Sequence, residues 1–320
     1  MSVKVSVCIP VYGVEKYIER CARSLFEQTM QEGIEFIFVN DCTPDKNIEI
    51  LERVLAEYPH RKEQTKIIHH ENNKGLVGAR NTGLTYAIGE YIIHCDSDDW
   101  VELDMYEKMY NAAKENDADM VYCDYSEYIN DKTFPFVVTS ADNGNALLDV
   151  LVSREGNPFL WNKLYKQHVA KHYHKISDCN MGEDIIGNAL MLSHTGKVFH
   201  LKEPLYYYRN NRKSITQFRW TRKTYNELIQ GCCILDQYLS DEKYSSACAA
   251  IKWRIAGLFL MHNNILSKKE FYAFYKKLDL KKLSYFPLRH KILAKLIRIN
   301  YRAAIILKYL LSYCRTLLRY

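Results

Sequence analysis

Much of what this 320-residue chain lacks is informative. No uncharged run approaches the roughly 18 residues that a bilayer-spanning helix requires. The ten cysteines contain no close CxxC pair, which removes the usual zinc-ribbon and dithiol-redox spacings. Cys42, Cys95 and Cys123 lie in or beside apolar runs, and Cys232 and Cys233 are adjacent, a pattern expected of free thiols in a reducing compartment. No signal peptide opens the sequence; Met1 leads straight into a strand pattern. A GxxxxGK[ST] loop and a GxGxxG turn are both absent, so neither the P-loop nor the dinucleotide fingerprint is present. Residues 281–320 contain no Asp or Glu but ten Lys and Arg, so the rest of this chain of net charge +6 is net acidic.

What is present reads as a folded protein. Hydrophobic content of 48% and charged content of 26% are ordinary for globular chains. The length suits one large domain, or one domain with a helical appendage. Strand patterns at Val3 to Pro10, Ile34 to Val39, Lys66 to His69, Tyr91 to Cys95 and Met120 to Cys123 alternate with helical patterns between them. That alternation predicts a doubly wound, mostly parallel α/β sheet. Polar residues close each strand: Asp41 and Asp45 after the second, Asn72, Asn73, Lys74 and Gly75 after the third, and Asp96-Ser97-Asp98-Asp99 after the fourth. In such sheets the carboxyl-terminal strand edge is where ligands bind, so these junctions are expected to form one cleft.

The fourth junction is the most informative. A buried strand that ends in three carboxylates within four positions offers hard oxygen ligands for Mg²⁺ or Mn²⁺, shared with substrate phosphates. An isolated DSDD is equally a solvated turn in which Asp98 or Asp99 caps the helix beginning near Glu102.

Read together, the motifs of the first 130 positions resemble family 2 glycosyltransferases of the GT-A fold. The resemblance runs through Pro10-Val11-Tyr12, Tyr17-Ile18, Ser24-Leu25 and Gln28-Thr29, then Val39-Asn40-Asp41-Cys42-Thr43-Pro44-Asp45. It continues through Asn73-Lys74-Gly75, Ala79-Arg80-Asn81-Thr82-Gly83 and Ala87-Ile88-Gly89-Glu90-Tyr91 into Asp96-Ser97-Asp98-Asp99. Gly13 and Asn40 depart from the commoner residues. The resemblance implies donor contacts from Pro10, Tyr12, Glu15, Asp41, Lys74, Arg80, Asp96, Ser97, Asp98 and Asp99. Asp41 is expected to read base and ribose, Asp98 with Asp96 to hold a divalent ion, Asp99 to orient sugar hydroxyls, and Arg80 to face the diphosphate or sugar. A surface helix cation is the alternative for Arg80.

Phe159 to Tyr165 and Met181 to Ile185 resemble segments of non-processive members, of bacterial surface-polysaccharide type. They imply Trp161, Asn162 and Lys163 as acceptor contacts and Asp184, with Glu183 second, as general base in an inverting displacement. The alternative for this acidic pair is a favourable charge at a helix start. Tyr206 to Ser214 resembles a family loop in which Arg209, Arg212 and Lys213 would meet diphosphate, and Tyr206, Tyr207 and Tyr208 would stack on sugar or belong to the core. Gln217-Phe218-Arg219-Trp220 is one residue short of the processive QxxRW pattern, so that role is not carried over.

The expected organisation is a catalytic domain over 1–220, with a nucleotide-sugar half at 1–130 and an acceptor half at 131–220, followed by a helical region over 221–320. Lys291, Lys295, Arg298 and Arg302 fall on one helical face, and Lys308, Arg315 and Arg319 on another, which implies a kink or two helices. With isoleucine and leucine between the cations, residues 285–320 are expected to lie on an anionic membrane surface and not to bind nucleic acid. A helix packed on the catalytic domain with its cations in solvent is the alternative. The sequence therefore predicts an enzyme, peripheral at the inner face of the cell membrane, that moves a hexose or N-acetylhexosamine from a nucleotide sugar, UDP-linked, to a glycan or lipid-linked glycan. A metal-dependent nucleotidyltransferase and an inactive membrane-associated scaffold of the same fold are the competing readings.

Overall fold

The structure is a computed structural model that describes residues 2–138, 158–210, 220–262, 265–283 and 288–308. Arg212, Lys213, Arg219 and the tail cations Arg315 and Arg319 lie outside the described residues. The chain divides into two compact units, Met1–Gln217 and Phe218–Tyr320.

The first unit opens with the alternation that the sequence predicts: β1 (Val5–Val11), α1 (Ile18–Phe26), β2 (Ile34–Asn40), α2 (Asn47–Ala56), β3 (Thr65–His69), α3 (Gly75–Tyr86) and β4 (Tyr91–His94). It continues with β5 (Trp100–Val101), α4 (Met105–Glu115), β6 (Met120–Ile129), β7 (Lys132–Phe136), β8 (Lys163–Lys166), α5 (Gln167–Ala170), α6 (Glu183–Leu192) and β9 (Val198–Arg209). The described strands form one sheet in the order β3-β2-β1-β4-β8-β6-β9-β5, with β7 added beside β6. Pairing is parallel from β3 to β4. Antiparallel pairs enter in the second half, where β8 pairs against both β4 and β6, so the sheet as a whole is mixed.

The central strands are apolar on both faces because helices cover both, and β1 and β2 are buried almost throughout. Pro10 is tolerated in β1 because β4 pairs only as far as Cys8↔His94, so no ladder donor is needed beyond that point. Gly89 sits where the chain crosses β1: a Cβ there would lie 2.6 Å from the Ser6 amide nitrogen and 2.9 Å from the Tyr91 carbonyl oxygen.

The second unit holds α7 (Arg222–Tyr238), α8 (Ser245–Met261), α9 (Lys268–Tyr275) and α10 (Leu288–Ile299). Both α7 and α9 begin in reciprocal capping boxes, Thr221 with Thr224 and Ser267 with Glu270. The Tyr272 and Tyr275 hydroxyls donate to the Ile297 and Ala294 carbonyls of α10. Helix continues over 301–308 after a break at Asn300, whose Oδ1 accepts from the Ala303 amide. Leu293, Ile297 and Ala304 are buried, whereas Leu288, Ile292, Ile299 and Ile306 are exposed, as are Lys291, Lys295, Arg298 and Arg302. Among the described residues no helix is long and apolar enough to cross a membrane.

Candidate active site

The sheet pairing carries the chain past β4 into the acidic turn. The Cys95 amide still donates to the Cys8 carbonyl, after which the Asp99 amide closes the turn on the Asp96 carbonyl. Ser97 is buried and its hydroxyl donates to the Pro10 carbonyl at 2.6 Å, so Pro10 and Ser97 fix the turn against β1. The three carboxylates separate sharply. Asp99 is 1% exposed; its Oδ1 accepts from the Arg209 amide (2.7 Å) and its Oδ2 from the Tyr206 hydroxyl (2.8 Å). With an oxygen on each of these partners, Asp99, expected to orient sugar hydroxyls, staples the turn to β9. Tyr206 also accepts from the Asp96 amide at 3.1 Å. The carboxyl of Asp98 remains partly exposed, and burial followed by the nearby Asp96 charge pushes its pKa up to about 6. Asp96 is shifted upward too, chiefly by burial.

The structure makes Arg80 the hub of the site. On α3 it is neither the surface cation nor the open diphosphate contact that the sequence suggested: its side chain is 1% exposed. Its Nη2 lies 2.9 Å from Asp96 Oδ1 and 3.9 Å from Asp184 Oδ1, and its Nε lies 3.4 Å from Glu183 Oε1. Burial alone would lower its pKa, but Glu183, Asp96 and Asp184 together raise it, so the cation is firmly held. The left-handed Gly182 (φ 79°) turns the chain into α6 and presents Glu183 and Asp184 toward this cation. Glu183 is buried and accepts from the Tyr173 hydroxyl at 2.6 Å. Asp184 keeps 28% of its side chain exposed, and its pKa is raised well above the usual carboxylate range by burial and then by Glu183. Residues 96 and 184 thus meet at one buried guanidinium although 88 positions separate them.

The β2 junction departs from expectation as well. The Asp41 side chain is 4% exposed; it accepts from the Lys74 amide (2.7 Å), the Gly75 amide (2.8 Å) and His70 Nδ1 (2.7 Å), and His70 Nε2 meets the Thr82 hydroxyl at 2.8 Å. An acid placed on the unpaired amides at a helix start is favoured by hydrogen bonding and by the helix dipole. Asp41 therefore anchors α3, with Oδ1 taken by the Lys74 amide and His70 and Oδ2 by the Gly75 amide. Lys74 and Tyr12 are exposed on neighbouring loops. The Glu15 amide donates to Asp45 (2.9 Å) and the Gly13 amide to Thr43 (3.0 Å), tying the first loop to the second.

Trp161, Asn162 and Lys163, expected as acceptor contacts, are buried in the core. Trp161 is 1% exposed and stacks on Tyr206 at 4.2 Å, with Tyr208 and Phe159 beside it. Asn162 donates to the Cys123 carbonyl, and Lys163 Nζ donates to the Phe159 carbonyl and Asn162 Oδ1. Burial pushes the Lys163 pKa down to about 7 against the pull of Asp184. Sequence reasoning missed Tyr173, and also His94, which is buried at the end of β4 against the Tyr173 ring and kept neutral by burial and by Arg80.

A divalent ion suits part of this donor set. Among the described residues no group of three or more His, Cys, Asp or Glu is arranged to hold a metal. Asp98, and the Asp96 oxygen that Arg80 leaves free, are hard ligands of the kind that Mg²⁺ or Mn²⁺ accepts when phosphate and water complete the shell.

Residues 6–182 match the family model described as Glycosyl transferase family 2. The chain is 32% identical over 223 residues to the uncharacterized glycosyltransferase EpsJ of Bacillus subtilis, covering 67% of this chain and 63% of that protein. It is 31% identical over 278 residues to the putative glycosyltransferase EpsH of the same organism, covering 79% and 78%. The match thus spans a little under two thirds of EpsJ. The crystal structure of S. aureus TarS 1-349 in complex with UDP-GlcNAc superposes with a TM-score of 0.73 at 17% identity, covering 98% of this chain and 92% of that one, a likeness of fold.

Proposed function

The chain belongs to glycosyl transferase family 2 and is a glycosyltransferase, and from that premise we propose that it is an inverting enzyme of bacterial surface polysaccharide synthesis. In this reading it moves a hexose or N-acetylhexosamine from a UDP sugar to a hydroxyl of a glycan, lipid-linked and presented at an anionic membrane surface. The UDP-GlcNAc complex of TarS supports the donor, and similarity to the minor teichoic acid biosynthesis protein GgaB of Bacillus subtilis supports the setting. The observation that carries the mechanism is the meeting of Asp96 and Asp184 at Arg80.

Asp98 and Asp96 would hold Mg²⁺ or Mn²⁺, which as a Lewis acid supplies charge neutralisation for the departing diphosphate, an effect worth several kcal/mol. The partly exposed Asp184 faces the same space and accepts the acceptor hydroxyl's proton at its carboxylate as that oxygen attacks the donor's anomeric carbon. Its raised pKa makes it a stronger base than an open aspartate, provided it starts unprotonated. Arg80 favours that charged state. Glu183, buried and bound to Tyr173, orients this pair. No second carboxylate acts as nucleophile, so the anomeric configuration inverts.

Calorimetric titration with UDP-, GDP- and dTDP-sugars, with Mn²⁺ and with chelator, tests the reading. Metal-dependent binding of one UDP sugar, lost in Asp98→Ala, is the expected result. A folded protein that binds none of them overturns it.

A further inference from the structure

Beside the carboxylates lies a second feature that the reaction as described does not use. Arg20, on the exposed side of α1, lays its guanidinium 3.2 Å from the Trp100 ring centroid and 5.2 Å from that of Tyr128. Arg209, at the end of β9, lies 5.2 Å from the same Trp100 ring, 5.1 Å from Tyr128 and 4.7 Å from Tyr17. Trp100 is buried, stacked on Tyr207 at 5.1 Å and met edge-on by Tyr128 at 4.9 Å, so the platform beneath both cations is rigid.

Two guanidiniums that share two aromatic rings repel one another, and a protein ordinarily relieves this with a carboxylate. Only a partial one is supplied: the Arg209 charge acts on the nearby Asp98 carboxyl, yet neither arginine forms an ion pair among the described residues. Arg209 Nε donates to the Asp98 carbonyl at 3.2 Å, to the backbone and not to the acid. Glu102, nearby, takes the Tyr207 hydroxyl instead. Stacking covers a guanidinium's faces but leaves its in-plane N–H edges free, the fork that matches phosphoryl oxygens in pairs. The Arg209–Asp98 hydrogen bond ties this fork to the acidic turn.

We infer that Arg20 and Arg209 form a phosphoryl-binding subsite on the rim of the acidic turn, built on Trp100 and Tyr128. Its ligand is a phosphoryl group, either of the donor diphosphate or of a phosphate-bearing acceptor. The inference deepens the glycosyltransferase reading and rests on it for the identity of those two sources, but not for the binding itself.

The test uses the full chain and two variants, Arg20→Gln and Arg20→Lys, each first shown by circular dichroism and melting to keep the wild-type fold, as the exposure of Arg20 leads one to expect. Binding of UDP and of uridine is measured with Mn²⁺, and binding of glycerol phosphate with UDP saturating. If the subsite takes the donor, Arg20→Gln weakens UDP about ten-fold and leaves uridine unchanged, with Arg20→Lys in between. If it takes the acceptor, UDP is unchanged and glycerol phosphate weakens by the same factor. A folded Arg20→Gln protein that binds both probes as wild type does overturns the inference, as does a wild-type protein that binds neither. Arg20-dependent binding of glycerol phosphate by a protein that recognises no nucleotide sugar would uphold the subsite and sink the functional reading.

Discussion

Replacing Arg80 with methionine separates the two roles this residue can have. The guanidinium lies 2.9, 3.4 and 3.9 Å from oxygens of Asp96, Glu183 and Asp184. With an effective dielectric of about 20, each attraction is on the order of 4 to 6 kcal/mol before desolvation is subtracted. Much of that is offset, because burying the arginine is itself costly and opposes its charge. What remains on deletion is a set of converging acids without a counter-charge, and breaking a buried pair in this way costs about 3–5 kcal/mol. Asp96 and Asp184, both already raised, move further upward once the cation that holds them down is gone. Arg80→Met is therefore expected to lower unfolding free energy by about 3 kcal/mol or more at neutral pH, read by urea denaturation with chelator present. Arg80→Lys, which keeps the charge but reaches fewer acids, falls between. UDP affinity in the folded fraction drops less than turnover. If instead the variant is as stable as wild type and UDP binding collapses, Arg80 is a direct donor contact and the hub argument fails.

Asp184→Asn should retain donor affinity while turnover falls at least a hundred-fold. In the wild type, turnover should decline as pH falls through the raised Asp184 pKa, because the base must begin as carboxylate; retained activity in the asparagine variant would remove Asp184 from the chemistry. Lys163 titrates at about 7 when folded and near 10.5 when unfolded, so between those values the unfolded chain binds more protons and stability climbs with pH, by up to about 1.4 kcal/mol per unit. Subtracting the Lys163→Met profile from that of the wild type should leave this slope, and a flat difference would contradict a buried neutral lysine. Gly89→Ala is expected to destabilise by about 1–3 kcal/mol, since its Cβ would meet the Ser6 backbone nitrogen at 2.6 Å, and a variant that melts with the wild type would refute that packing. Ile292→Glu with Ile299→Glu, both on the exposed face of α10, should abolish sedimentation with anionic vesicles, and undiminished binding would dismiss the membrane surface as partner.

The alternation of strands and helices through residue 123 was legible because a parallel sheet covered on both faces writes nearly continuous apolar runs, and Ile34–Asn40 and Tyr91–His94 are of that kind. The antiparallel half was not: β8 is four residues long and owes its place to pairing with β4 and β6, a tertiary choice with no local signature. The acidic turn was visible as a cluster, but not the division of labour within it. Whether Asp98 or Asp99 turns inward depends on Tyr206 and the Arg209 amide, more than 100 residues away. The anchoring partners of Asp41 were hidden for the same reason, since they lie on a later loop.

Arg80 is different, because a signal was there. It stands on the same helical stripe as Val77 and Leu84, three positions after one and four before the other, and all three are buried. A lone arginine on the apolar stripe of a helix must bring its own carboxylates into the core. Beyond the metal motif the chain has two adjacent acid pairs, Glu183-Asp184 and Asp241-Glu242, and only the first lies within the segments that resemble the family. Placing an apolar-face cation against the acid pair already read as the general base would have joined the two halves of the site before any coordinates existed. The same reasoning applies to Trp161, Asn162 and Lys163, which the family resemblance put forward as acceptor contacts: a polar residue flanked by Leu160 and Leu164 is as readily a core residue that has satisfied its donors internally.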